Sequence, residues 1–99
     1  MKILAIARDV HGTTAEEFEP YLVSEALVVW NLYKSGVVRE MYFREKSPDA
    51  VLVLECEGES QAKRFLDSLP LVKQGLIEFE CIGLIPYPGF ERLLQRNEE

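Results

Sequence analysis

Residues Val37–Glu57, VVREMYFREKSPDAVLVLECE, decide the fold. β-branched and aromatic residues dominate, and Pro and Asp interrupt them at one place only, so the stretch reads as two strands joined by the turn Lys46-Ser47-Pro48-Asp49. Alternation along the second strand puts Leu52, Leu54 and Cys56 on one face and Val51, Val53, Glu55 and Glu57 on the other. On the first strand, Met41 and Phe43 suit the core face, which leaves Glu40, Tyr42 and Arg44 opposite. One face is therefore a plain core. The other, where apolar and ionisable groups mix, reads as the floor of a binding site.

Outward from this hairpin the same reasoning places the remaining elements. Lys2–Arg8 is apolar on both faces, Ile3, Ala5 and Ala7 against Leu4 and Ile6, as a central covered strand requires. Thr14-Ala15-Glu16-Glu17 matches a capping box at a helix start. The helix runs to about Lys34, with Pro20 separating a short first turn from the main segment. Phe18, Leu22, Ala26, Val29 and Tyr33 form one apolar stripe, and Val23, Leu27 and Trp30 a second, more than one sheet face needs. Gly36 serves as the left-handed cap residue. Ser60 opens a second helix, in which Ala62, Phe65, Leu66 and Leu69 recur at helical spacing until Pro70 stops it. Leu71–Gly75 is a connector and Leu76–Ile85 the last strand. Residues 1–90 form one domain, and residues 91–99 a polar tail with at most one helical turn.

The order β-α-β-β-α-β interleaves two right-handed β-α-β units into an antiparallel sheet with both helices on one face, the ferredoxin-like α+β arrangement. The spatial order expected is last strand, first, third, second. The face without helices carries Leu4, Ile6, Val51 and Val53, which calls for a homodimer or a higher multiple closed through these faces. Cys56 and Cys81 fall two strands apart, about 10 Å by strand spacing, too far to bridge, so both are expected free and buried.

Composition limits the classes of function. Ninety-nine residues, 47% of them hydrophobic, can build a core without metal or disulfide staples. A net charge of −6 with scattered Lys and Arg argues against a nucleic-acid partner. No apolar run is long enough for a membrane span, and Arg8, Asp9 and His11 cut the first one too short for a signal peptide. Two Cys without metal-type spacing fit a reducing compartment, so the expected location is cytoplasmic. No phosphate loop, dinucleotide fingerprint or metal-ligand spacing is present, and no cofactor is expected.

Taken as an ordered set, Glu25, Ser35-Gly36, Phe43-Arg44, Ser68-Leu69-Pro70-Leu71, Ile77-Glu78-Phe79, Leu84-Ile85-Pro86 and Pro88 resemble the dimeric α+β barrel superfamily, and within it the muconolactone isomerase-like proteins. The resemblance covers about Phe18–Phe90. It departs from the family at Tyr87, where those enzymes tend to have a His, and in the first loop, which here holds Asp9 and His11. It implies an isomerase or lyase that takes a proton beside a carbonyl and returns it, with a base of raised pKa, an enolate donor and a cation for the substrate.

On the open face, Glu55, Glu78 and Glu80 are candidate bases, and like-charge crowding in a partly apolar barrel would raise their pKa values. Arg8 and Arg44 are candidate carboxylate binders, and Tyr42 an enolate donor. His11, with Asp9 to orient it, is a candidate acid/base. The catalytic set is thus His11, Glu78 and Glu55, and the substrate-binding set Arg8, Tyr42, Arg44 and Glu80. Against these stands the reading that they are structural ion pairs and a solvent-facing loop. Two other functions fit the fold: a non-catalytic domain for a small apolar ligand or for assembly, and a cofactor-free monooxygenase.

Overall fold

The hairpin forms where the composition puts it. In the computed structural model, which describes residues 1–10 and 12–95, β2 (Val38–Phe43) and β3 (Ala50–Glu55) run antiparallel, with Met41 opposite Leu52 and Tyr42 opposite Val51. The Arg44 amide donates to the Asp49 carbonyl at 3.0 Å and closes the turn. The register shifts between Val38 and Glu40, so Arg39 forms a bulge near the start of this edge strand.

β1 (Lys2–Asp9) pairs with β3 on one side and with β4 (Ile77–Leu84) on the other, both antiparallel. The sheet order is β2-β3-β1-β4, the order expected from interleaved β-α-β units. Ile3, Ala5 and Ala7 on β1 are buried, as are Leu52 and Leu54 on β3, because this is the face the helices cover.

The first helical segment has three pieces. α1 (Ala15–Phe18) leads through a 3-10 turn, Glu19–Tyr21, into α2 (Leu22–Lys34). The capping box is present: the Thr14 amide donates to Glu17 Oε1 at 3.2 Å. Pro20 lies inside the 3-10 turn, where its missing N–H leaves no helical bond unmade. Gly36, at φ 86°, takes the left-handed conformation that lets the chain reverse into β2.

α3 (Glu59–Leu66) begins one residue before Ser60, with Gly58 at the cap position, and the Gln61 side chain accepts the Glu57 amide at 2.7 Å. The connector expected after Pro70 is itself a helical turn. Leu69 is extended and Pro70 opens α4 (Pro70–Lys73), using its fixed φ to start a helix rather than only to end one.

The core lies between the sheet and the helices. Ile3, Ala5, Val38, Leu52 and Leu54 meet Ala62, Leu66 and Leu69, with Val28, Val29 and Leu32 of α2 packed on them. Val28, Val29 and Leu32 are thus the α2 residues on this core; of the first stripe read from the sequence, Val29 packs there and Leu22 and Tyr33 are about half exposed, while the second stripe faces out. Val23 is 86% exposed and Leu27 and Trp30 stand out beside it. The two thiols are free, but half-buried rather than fully buried. Burial pushes the Cys81 thiol up, with Glu59 adding to the effect.

Beyond β4 the chain turns away from the body through Pro86 and Pro88 to α5 (Glu91–Gln95). The molecule measures 64 × 29 × 20 Å with a radius of gyration of 17.2 Å, against about 13 Å for a compact domain of this length. Among the described residues no helix is long and apolar enough to cross a membrane.

Candidate functional site

The helix-covered face of the sheet is solid at one end and hollow at the other. Near Ile3 and Leu54, α2 and α3 lie directly on the strands. Toward Asp9, α1 and α2 stand off the sheet and leave a cleft of about 850 Å³, within the range of small-molecule sites. Its floor is Ala7, Leu52, Ile77 and Phe79, and its roof Phe18, Leu22, Ala26 and Val29. Met41 and Phe43 of β2, with Trp30 and Tyr33 of α2, border its open side. Small residues create the gap. Ala7 and Ala50 on the strands and Ala15 and Ala26 on the helices offer methyl groups where a core would place leucines.

Local contacts fix the edges of this space. The Val10 amide donates to the Leu76 carbonyl at 3.0 Å, and the Thr13 hydroxyl to the Val10 carbonyl at 2.6 Å, which holds the β1–α1 loop against the start of β4. Trp30 stacks on Tyr33 with ring centres 5.8 Å apart. Lys34 Nζ lies 5.7 Å from the Trp30 ring centre. Arg44 reaches Asp49, another lining residue, at 4.0 Å.

Among the lining residues the ionisable side chains are acidic or phenolic: Asp9, Glu19, Glu25 and Asp49, with Tyr33. Glu25 differs from the others in its surroundings. It sits among the apolar residues of α2, and its Oε1 accepts the Leu71 amide at 2.9 Å, tying α2 to the first turn of α4. Burial raises its carboxyl above the ordinary 4.5, and the Leu71 hydrogen bond opposes the shift without cancelling it. A carboxyl raised in this way, in an apolar cleft, exchanges protons more readily near neutral pH than an exposed one.

The residues expected from the sequence are placed elsewhere. Arg8 and Glu78 come together as a surface ion pair, Arg8 Nε donating to Glu78 Oε1 at 2.6 Å. Glu55 is bound by the Met1 ammonium at 2.8 Å, and that contact holds its carboxyl below the usual range, the reverse of the raised value expected. Tyr42 donates to Glu40 at 2.8 Å, and this bond pushes its phenol up. Glu80 is exposed on β4. None of Arg8, Tyr42, Arg44, Glu55, Glu78 and Glu80 lines the cleft. His11 lies outside the described residues. Among those described, no group of three His, Cys, Asp or Glu side chains clusters to hold a metal.

Sequence reasoning picked out Glu25 only through the resemblance, yet a signal was there. It is the one carboxylate between Leu22, Val28 and Val29 on the inner side of α2, where an ionisable group is unusual.

Two solved structures share the fold. A 5-chloro-2-hydroxyhydroquinone dehydrochlorinase from Burkholderia phenoliruptrix, in complex with 2,5-dihydroxybenzoquinone, matches 90% of this chain and 98% of its own with a TM-score of 0.72 and 13% identity. Muconolactone isomerase matches 89% of this chain and 92% of its own with a TM-score of 0.69 and 18% identity. No protein-family model matches the sequence, and no curated protein does. The fold is therefore the α+β architecture of these two proteins, with a four-stranded antiparallel sheet, and both of them are enzymes.

Proposed function

We propose that this chain is a cofactor-independent enzyme of isomerase or lyase type, acting by proton transfer on a small, uncharged aromatic or carbonyl compound in the cleft. The observation that carries this reading is Glu25, a carboxyl raised by burial within an apolar space of ligand size. Among the described residues no Lys or Arg lines the cleft and four acidic side chains do, which argues against an anionic substrate, because they would repel it.

In this reading the Glu25 carboxylate takes a proton from carbon beside the substrate carbonyl, and the C–H electron pair moves onto the carbonyl oxygen as an enolate. The Tyr33 hydroxyl and the Trp30 ring N–H belong to lining residues and are uncharged donors for that oxygen, whereas the Thr13 proton is already given to the Val10 carbonyl. Collapse of the enolate then takes one of two courses. Glu25 returns the proton at a conjugated carbon, which moves a double bond, or the electron pair expels a leaving group from the adjacent carbon. The dehydrochlorinase, with a quinone in its crystals, and the isomerase exemplify these two outcomes on this fold.

The oligomer belongs to the same proposal. The chain forms a cytoplasmic homodimer through the face that carries Leu4, Ile6, Val51 and Val53. Closure of two such faces would bring Arg8, Tyr42, Arg44, Glu55, Glu78 and Glu80 to the rim of a shared barrel as ion pairs. Sedimentation tests this, and a monomer at micromolar concentration refutes it.

The enzymatic reading is tested by incubating the protein with a panel of phenols, quinones and lactones and analysing products by mass. Turnover by the parent and its loss by about 100-fold or more in Glu25→Gln supports the assignment. The Glu25–Leu71 bond also gives Glu25 a structural task, which favours a second reading, a non-catalytic small-molecule-binding domain. Ligand binding by both proteins with no product from either selects that second reading.

A further inference from the structure

The outer side of α2 carries a stripe that the fold itself does not use. Val23, Leu27, Trp30 and Lys34 follow one another at steps of four, three and four residues. At 100° per residue these steps gather all four within an arc of about 60°. Val23 is 86% exposed, Leu27 59% and Trp30 52%. Alternating steps of three and four are the seam along which one helix packs on another.

The charges along this face say which helix fits. Acidic residues stand before its start, Glu16 and Glu17 in α1 and Glu19 in the turn, and Lys34 stands in its last turn. Among the described residues neither Glu19 nor Lys34 forms an ion pair. Lys34 lies over the Trp30 ring instead. A face that is acidic at one end, apolar in the middle and basic at the other is complementary to itself when turned end for end. A two-fold axis between Ala26 and Leu27 then sets Val23 on Trp30, Leu27 beside Leu27 and Lys34 beside Glu19, and each unlike pair occurs twice. A parallel partner would set Lys34 on Lys34 and Glu19 on Glu19 and align the two helix dipoles, so the antiparallel arrangement is favoured.

We propose that the outer face of α2 is a self-association surface, on which the α2 of a second copy of this chain packs antiparallel through Val23, Leu27 and Trp30. It is separate from the sheet face of the homodimer proposed above and does not rest on that reading. Three apolar side chains per copy cover much less than the roughly 800 Å² per partner of a standard stable interface, so the contact is reversible and joins units that are already folded. Trp30, a large aromatic with a polar N–H, is its anchor. Because Trp30 also lines the cleft, the contact fixes one edge of that site.

Engineered thiols read this geometry. About the proposed axis residue 27 lies beside its own copy. Residue 23 lies seven residue steps, about 10 Å along the axis, from its copy, beyond the reach of a disulfide. Mild oxidation therefore links Leu27→Cys into a covalent dimer and leaves Val23→Cys unlinked, while a mixture of Val23→Cys with Trp30→Cys links one chain of each kind. Lys63→Cys, exposed on α3, stays unlinked. Sedimentation gives a readout without a new thiol. At high micromolar concentration the parent approaches at least twice the mass of Leu27→Asp, whether the unit joined is a monomer or a dimer, so the result is independent of the sheet face and of any turnover. Equal masses for the two proteins overturn the proposal, and so does Val23→Cys linking as readily as Leu27→Cys. Far-ultraviolet circular dichroism checks that Leu27→Asp is folded, and Val23→Lys repeats the comparison if it is not.

Discussion

Two substitutions at Glu25 separate its structural task from its charge. Glu25→Ala removes the acceptor of the Leu71 amide, and Leu71 is 8% exposed. Stranding a buried amide costs about 1–3 kcal/mol, and in a domain of this size that lowers the melting midpoint by on the order of 10 °C. Glu25→Gln keeps an acceptor in the same place, so its midpoint at neutral pH stays at or above that of the parent. The pH dependence has a definite sign. Because burial raises the Glu25 carboxyl above its ordinary 4.5, its contribution to stability is fully present below 4.5 and is lost as pH rises through the folded value. Glu25→Gln lacks that loss, so the difference between it and the parent is smallest in acid and grows toward neutrality. The assay is urea unfolding of the three proteins from pH 4 to pH 8. A Glu25→Ala midpoint equal to the parent's, or a parent-to-Gln difference that does not change with pH, refutes the account of this residue.

Other substitutions test the division of the helix face into a solid and a hollow end. Ala26→Phe fills the cleft, so it abolishes binding of a neutral phenol by calorimetry while shifting stability by no more than about 0.5 kcal/mol, as expected of a site away from the packed core. Leu66→Ala, at the solid end, loses about 2–5 kcal/mol in urea unfolding because close neighbours cannot collapse into the void. The Cys81 thiol, pushed up by burial, reacts with a disulfide reagent more slowly than a free thiol in the native protein and at the ordinary rate in denaturant.

The strand order was legible because alternation in β3 and the break at Pro48 and Asp49 leave one way to pair the hairpin, and β1 is too apolar on both faces for an edge. The two stripes on the first helical segment were legible, but not what each would meet. Phe18, Leu22, Ala26, Val29 and Tyr33 face the sheet across the cleft, the core contacts of α2 come from Val28, Val29 and Leu32, and the second stripe, Val23, Leu27 and Trp30, stands exposed. The cleft was hidden for a related reason. It is an absence of volume, produced by Ala7, Ala15, Ala26 and Ala50 meeting across space, and these alanines are far apart in sequence. Charged residues on open strands are conspicuous by alternation, so the sequence drew attention to Glu55, Glu78 and Arg8. Arg8 and Glu78 in fact neutralise one another, and Glu55 meets the Met1 ammonium.

The break at Pro20 has a further consequence. Floor and roof of the cleft are not equally firm. The floor belongs to β1, β3 and β4, locked by ladders on both sides of β1. The outer part of the roof is α1, a single turn of four residues coupled to α2 only through the Glu19–Tyr21 turn. Lifting α1 would cost the packing of Phe18 on Ala7, Leu71 and Ile77 but no hydrogen bond within α2, so its amides are expected to exchange sooner than those of the sheet. If so, a molecule can leave the cleft past this one turn while the sheet stays closed.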